Sequence, residues 1–219
     1  MDGDAEDAVV KPLPVGAIRA LPASWQAMYG TGSGVLAHMG TLGDGTCLFH
    51  SMCAALNVKG YNTASAERRA AIGAQFRAAF THTLTEPRWR AFLAKQSHVP
   101  PEYESASVAT VRSWFRDAAR WADEIMIKYV NDYCSADVMF IDATSSQLYC
   151  GVRGAEPTQP VIMILWLDHS HFEPVLLIQK HCKKTRRVEC KMCFDPDDPA
   201  DARIIRAFRA QMKSQCPPK

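Results

Sequence analysis

Cys47 is the residue best placed in this sequence to do covalent chemistry. It follows Asp44-Gly45-Thr46 directly and opens a stretch in which Leu48, Met52 and Ala55 recur at helical spacing. A thiol at the start of a helix meets unpaired backbone N–H groups and the positive end of the helix dipole, and both favour the thiolate. The thiolate is the attacking form of cysteine. The Asp-Gly turn before it can aim backbone N–H groups at an oxyanion forming beside the sulfur. The plain alternative is a buried small hydrophobe, since free cysteine is among the most buried residue types.

A nucleophilic thiol needs a base, and the chain offers His38, His50, His82, His98, His169, His171 and His181. His50 lies three residues along the same helix, with backbone between it and the thiol. His82 belongs to a polar helix end and His98 to a loop. His171 opens a strand candidate, and Glu173 follows two residues later. Strand positions i and i+2 share a face, so Glu173 can lie beside the imidazole and orient it. That is the Cys–His–acid arrangement of a thiol hydrolase. Such partners meet only in the fold, so their distance in sequence is no obstacle.

The elements that must position these groups come in two blocks. Helical patterns run through Cys47 to Leu56, from an N-cap at Ser65 through Phe80, around Trp89 to Leu93, from Val108 to Ala118, and from Trp121 to Tyr133. Strand patterns then appear at Val138–Ile141, Val161–Leu167 and Phe172–Ile178. There is no regular βαβ alternation, which argues against a doubly wound sheet. Gly30-Thr31-Gly32-Ser33-Gly34 lacks the Lys-Ser/Thr of a phosphate-binding loop. Residues 1–20, acidic and then Pro-rich, read as a flexible arm. The expected organisation is that arm, a catalytic domain over 21–180, and a basic-then-acidic, Cys-containing tail over 181–219 as a short extension.

These residues carry a resemblance. Gly43-Asp44-Gly45-Thr46-Cys47-Leu48-Phe49 resembles the nucleophile motif of the ovarian tumour (OTU) family of cysteine proteases, with Thr46 where Asn is common. His171-Phe172-Glu173-Pro174-Val175 resembles the family's His motif, and Trp121-Ala122-Asp123-Glu124 with the following helix and strand resembles its middle segment. The resemblance spans about residues 40–178 and implies an α+β, papain-like fold with a small central sheet flanked by helices. It also implies a cysteine-type deubiquitinase that hydrolyses isopeptide bonds at the C-terminus of ubiquitin or a ubiquitin-like modifier. Its catalytic residues would be Cys47, His171 and Glu173, with Asp44 stabilising the loop. Backbone N–H groups from Asp44 to Cys47, those of Gly45 and Thr46 included, would hold the oxyanion. Phe172 and His169 are candidates for lining the substrate cleft. The implied partners are ubiquitin and polyubiquitin chains, with no metal and no cofactor. The compact size and the Asp142-Ala143-Thr144-Ser145-Ser146 connection resemble OTU proteins of large DNA viruses, which would place the enzyme in a host cytoplasm. The alternative is a ubiquitin-binding module with vestigial catalysis.

Composition narrows the field further. The chain has 219 residues, a net charge of +2 and 47% hydrophobic residues. That is ordinary for a globular domain and unlike the strongly basic balance of a dedicated nucleic-acid binder. No apolar run approaches the ~20 residues of a membrane span. The first residues are acidic where a secretory signal is basic and then apolar, so the expected compartment is cytoplasmic, the nucleus being the other option. The eight cysteines should then be mostly free thiols. Two metal readings compete: the pair His169 and His171, and a tail group of His181, Cys182, Cys190 and Cys193 with only one Cys-x-x-Cys knuckle. The run from Lys180 to Lys191, with six basic residues and one acid, reads as a solvated hairpin beside the acidic Asp195–Asp201.

Overall fold

The computed structural model describes residues 10–29, 34–120, 122–145, 147–150, 159–179 and 190–215. The chain begins with β1 (Ile18–Ala20), α1 (Ala23–Tyr29) and β2 (Gly34–Met39). A helical half follows: α2 (Cys47–Ala55), α3 (Ala66–Thr81), α4 (Glu86–Leu93), α5 (Pro101–Ser105), α6 (Val108–Arg116) and α7 (Glu124–Tyr133). Then come β3 (Asp137–Asp142), β4 (Gln147–Cys150), β5 (Val161–Leu167), β6 (His171–Gln179), β7 (Cys190–Lys191), β8 (Cys193–Phe194) and α8 (Pro199–Gln215). Three of the helices, α3, α6 and α7, start where a side chain satisfies one of their first N–H groups. Ser65 accepts from Arg68 N, Ser107 from Thr110 N and Asp123 from Met126 N.

The strands form one mixed sheet in the order β1-β2-β6-β5-β3-β4, with β7 on β6 and β8 on β5. β3 runs parallel to β5, and the other pairs are antiparallel. Helices cover both faces, which explains the unbroken apolar run of β5. Ile162 and Ile164 join Val138, Phe140 and residues of α2 and α7 in one core. Val161, Met163, Leu165 and Leu167 point the other way and pack with Met139, Ile141 and the α8 residues Ile204, Ile205 and Phe208. The architecture is α+β, as expected, with the sheet extended by short strands at both ends. No helix among the described residues is long and apolar enough to cross a membrane.

Two expected boundaries differ from the packing. Residues 10–20 are not a loose arm: Val10 and Leu13 are buried, and β1 pairs with β2 from Ile18↔Met39 to Ala20↔Ala37. The Pro-rich segment lies on the sheet because Gly40 has no side chain; a Cβ there would sit 2.1 Å from Pro14 O. Residues 190–215 are likewise not an appended tail. β7 and β8 extend the sheet where β5 and β6 part, and α8 contributes Ile204, Ile205 and Phe208 to the core. The acidic run serves this helix: Asp198 Oδ1 accepts from Ala200 N at 2.8 Å and Asp201 N at 3.1 Å, and buried Asp201 pairs with Lys191. Phe208, fully buried, is therefore a structural residue. Phe208→Ala is expected to cost about 3–5 kcal/mol in a denaturant titration, the usual range for a buried Phe; an appended tail would show almost no change.

Candidate active site

Cys47 is the first residue of α2, 7% exposed, and the turn before it is clamped from three sides. Asp44 Oδ1 accepts the Thr46 N–H at 2.9 Å. His50, one turn along α2, sets its Nε2 3.1 Å from Asp44 Oδ2. Burial pushes the His50 imidazole below its ordinary value against the pull of Asp44, so the ring is neutral and donates from Nε2. A Cβ on Gly73 of α3 would lie 2.2 Å from the His50 ring, so glycine there admits the imidazole. Arg77, 3% exposed, is the third clamp: Nη1 donates to Gly45 O at 2.7 Å, Nε to Phe115 O at 2.5 Å, and Nη2 to Asp117 O at 2.7 Å. A buried guanidinium is tolerable because carbonyls take its donors. It fixes the Gly45–Thr46 peptide by holding its carbonyl.

The clamp alters the set of oxyanion donors. The Thr46 N–H is spent on Asp44, so it is unavailable to an oxyanion, contrary to the expectation from sequence. The N–H groups of Gly45 and Cys47 have no partner among the described residues. Gly45 reaches its conformation with a φ of 79°, in the left-handed region, which only glycine adopts readily.

His171 is the first residue of β6 and lies close enough to Cys47 for the two side chains to interact electrostatically. Its Nε2 lies 3.5 Å from Glu173 Oε1 and 3.4 Å from Thr41 Oγ1. The Thr41 hydroxyl donates to Phe172 O at 2.7 Å, so its oxygen is left to accept from Nε2–H. Two acceptors on Nε2 fix that tautomer and leave Nδ1 for the thiol proton. Burial pulls the imidazole pKa down, but the hydrogen bonds and charges of Cys47 and Glu173 outweigh it and raise it to about 9. The raised value favours a protonated imidazole beside the Cys47 sulfur.

Glu173 is fully buried. Burial alone would raise its carboxyl pKa, yet hydrogen bonds from His171, His38 and Leu13 N hold it below the usual range. Leu13 N donates to Oε1 at 2.7 Å, and His38 Nδ1 lies 2.5 Å from Oε2. The carboxylate thus stays ionised behind His171 in a place where an unpaired charge would be costly. The arrangement can hold a thiolate, move a proton between sulfur and substrate, and offer two N–H groups to a developing oxyanion.

The structure brings Cys47, His171, Glu173, Asp44, Gly45 and Thr46 together and buries Phe172, one of the two cleft candidates. Phe172 is 2% exposed and stacks on Trp166, with Phe140 edge-on to it; it is packing behind the histidine, not an open cleft wall. His169 sits in the β5–β6 turn at a φ of 53°, edge-on to Trp166. Four groups went unread: His38, Thr41, Arg77 and the Leu13 amide. His38 follows Leu36 at strand spacing, a signal that only the β2–β6 pairing makes useful. Burial pushes Cys53 up to about 12 and raises Cys190 and Cys193. Trp121, Cys182, His181, Cys216 and most of the basic run lie outside the described residues. Among the described residues no three His, Cys, Asp or Glu side chains converge as metal ligands.

No protein-family model and no curated protein matches the chain. Solved structures do. The chain is similar to an ovarian tumour (OTU) domain in complex with ubiquitin, with a TM-score of 0.51 and 14% identity over 91% of this chain and 93% of that one. It also matches the OTUD1 OTU domain (TM-score 0.47, 13% identity, 64% of this chain and 85% of that one). A third match is the Hazara virus OTU bound to ubiquitin (TM-score 0.37, 12% identity, 68% and 92%). The first of these places the chain in the OTU fold.

Proposed function

We propose that this chain, which carries the OTU fold, is a cysteine-type deubiquitinase cleaving isopeptide bonds at the C-terminus of ubiquitin. The observation that carries the reading is the His171 imidazole beside the thiol at the start of α2, with the buried Glu173 carboxylate 3.5 Å behind its Nε2. The bound ubiquitin in the first similar structure belongs to that protein and supports ubiquitin as the partner here. Polyubiquitin chains and ubiquitin-like modifiers are the related substrates. The proposed setting is the cytoplasm, where a reactive thiol stays reduced, and the host's cytoplasm for a viral source.

In this mechanism the Cys47 thiolate attacks the carbonyl carbon of the terminal glycine, and the thiol proton rests on His171 Nδ1. The oxyanion lies against the Gly45 and Cys47 N–H groups. Collapse breaks the C–N bond, and His171 gives its proton to the departing lysine amine. Water then attacks the thioester as His171 takes its proton, and ubiquitin leaves with a free carboxylate. Glu173 and Thr41 hold the ring in one tautomer throughout. The reading is tested on a panel of diubiquitin linkages with wild type and Cys47→Ala. Cleavage of at least one linkage by wild type alone is expected; binding without cleavage would instead mark a vestigial module.

The pH profile has a definite sign. The proton that leaves with the lysine amine is on His171, whose pKa is raised to about 9. Turnover of an isopeptide substrate should therefore fall as the pH rises through about 9, and not near 6.5, the ordinary imidazole value. The stability given by the same pair has the same direction. It is complete below 6.5 and lost as the pH rises through about 9. A pH–rate profile whose alkaline limb lies near 6.5 would contradict the ion pair.

A further inference from the structure

We infer that His38 and the Leu13 amide are positioning groups of the active site, holding the Glu173 carboxylate in the charge state and orientation that His171 needs. The inference rests on the proposed hydrolase reading and concerns residues outside all three motif blocks. Glu173 has two oxygens, and neither is free. Oε2 lies 2.5 Å from His38 Nδ1; Oε1 takes the Leu13 N–H at 2.7 Å and faces His171 Nε2 at 3.5 Å. His38 is 1% exposed and Glu173 is fully buried, so water cannot replace either donor.

The fold places each donor by a separate device. His38 lies on β2 opposite Val175 of β6, which makes Glu173 its diagonal neighbour on the same face of the sheet. Leu13 stands between Pro12 and Pro14. Pro12 has no N–H, and Pro14 restricts Leu13 to extended backbone, so the segment offers one amide in a preset direction. The segment itself is pinned by Gly16 N to Gly40 O at 2.8 Å and Gly40 N to Ala17 O at 2.9 Å. The Pro-rich stretch is thus a strap whose Leu13 N–H points at a buried carboxylate. Without His38, Oε2 is left buried and unpaired, and the carboxylate must rotate or take up a proton. Rotation turns the negative charge away from His171 and protonation removes it, and either weakens the pull that keeps the imidazole protonated.

The test reads thiolate character directly and needs no ubiquitin. Alkylation of Cys47 by iodoacetamide at pH 6.5, followed by mass spectrometry of the Cys47 peptide, is compared across full-length variants. His38→Leu is expected to slow alkylation about tenfold, the effect of one pKa unit on the thiolate fraction. His38→Asn, which returns an N–H near the Nδ1 position, should restore most of the rate. Leu13→Pro, which deletes the amide hydrogen, should be slow, and Leu13→Ala, which keeps it, should match wild type; this pair decides the matter if His38→Leu fails to fold. On a ubiquitin conjugate the slow variants should lose kcat at unchanged KM. Wild-type alkylation rates in folded His38→Leu and Leu13→Pro overturn the inference, and so does a defect that His38→Asn leaves unrepaired, because that marks packing. Rapid alkylation of wild type without cleavage of any ubiquitin conjugate refutes the hydrolase reading alone and leaves this result standing.

Discussion

His171→Ala is expected to lower turnover of a ubiquitin conjugate by roughly 10⁴-fold, the top of the range for general acid–base catalysis. The size follows from the number of tasks on one ring. It holds the thiol proton, protonates the leaving amine and later deprotonates water, and among the described residues no second imidazole is placed to replace it. His50 is bound to Asp44 on the far side of the turn, and His38 is bound to Glu173. His169 packs on Trp166. Steady-state kinetics on His171→Ala and His169→Ala separate these groups, because His169→Ala should retain near-normal turnover. Glu173→Gln should cost less than His171→Ala, since it keeps the shape behind His171 and removes only the charge. A full-rate His171→Ala enzyme would place the base elsewhere.

The second large effect is expected from a single methyl group. In Gly45→Ala the new Cβ would stand 1.8 Å from Ala118 O, a backbone atom that cannot swing aside. The φ of 79° adds strain of about 1–2 kcal/mol for a residue with a side chain. The loop must move, and the Gly45 N–H moves with it. Displacing an oxyanion donor costs roughly 10²–10³-fold in kcat. Circular dichroism and thermal melting should show the fold intact while turnover is lost. Gly60→Ala supplies the control. Its φ is 80°, but nothing lies within 4 Å of the added carbon, so it should carry the backbone strain alone and leave activity unchanged.

What was legible in the sequence was local. Cys47 announces itself by an Asp-Gly turn running into a helix, and Glu173 by its i+2 spacing from His171; both signals are complete within a few residues. The apolar run Val161–Leu167 reads as a strand and is β5 from end to end, because burial on both faces leaves no polar interruption. β2 escaped for a related reason. Gly34, Ala37, His38 and Met39 have little strand preference, and with both faces buried there is no polar alternation to read. His38 therefore went unread, since its meaning lies in the pairing of β2 with β6. Arg77 sits on a helix whose exposed charges hide one buried guanidinium, and its partners are backbone carbonyls, to which sequence gives no clue.

The two ends of the chain misled through composition. Prolines at 12 and 14 read as looseness, yet they fix the one amide between them against Glu173. The acidic residues from Asp195 to Asp201 read as a counterweight to the basic run, yet they cap α8, whose apolar side closes the second face of the sheet.

The most direct test of the central claim is a ubiquitin probe whose C-terminal glycine is replaced by an electrophile, incubated with wild type and with Cys47→Ala and read by intact-mass and peptide mass spectrometry. One covalent ubiquitin adduct is expected on wild type, at Cys47, and none on Cys47→Ala. No adduct on wild type, or an adduct that persists in Cys47→Ala, would contradict it.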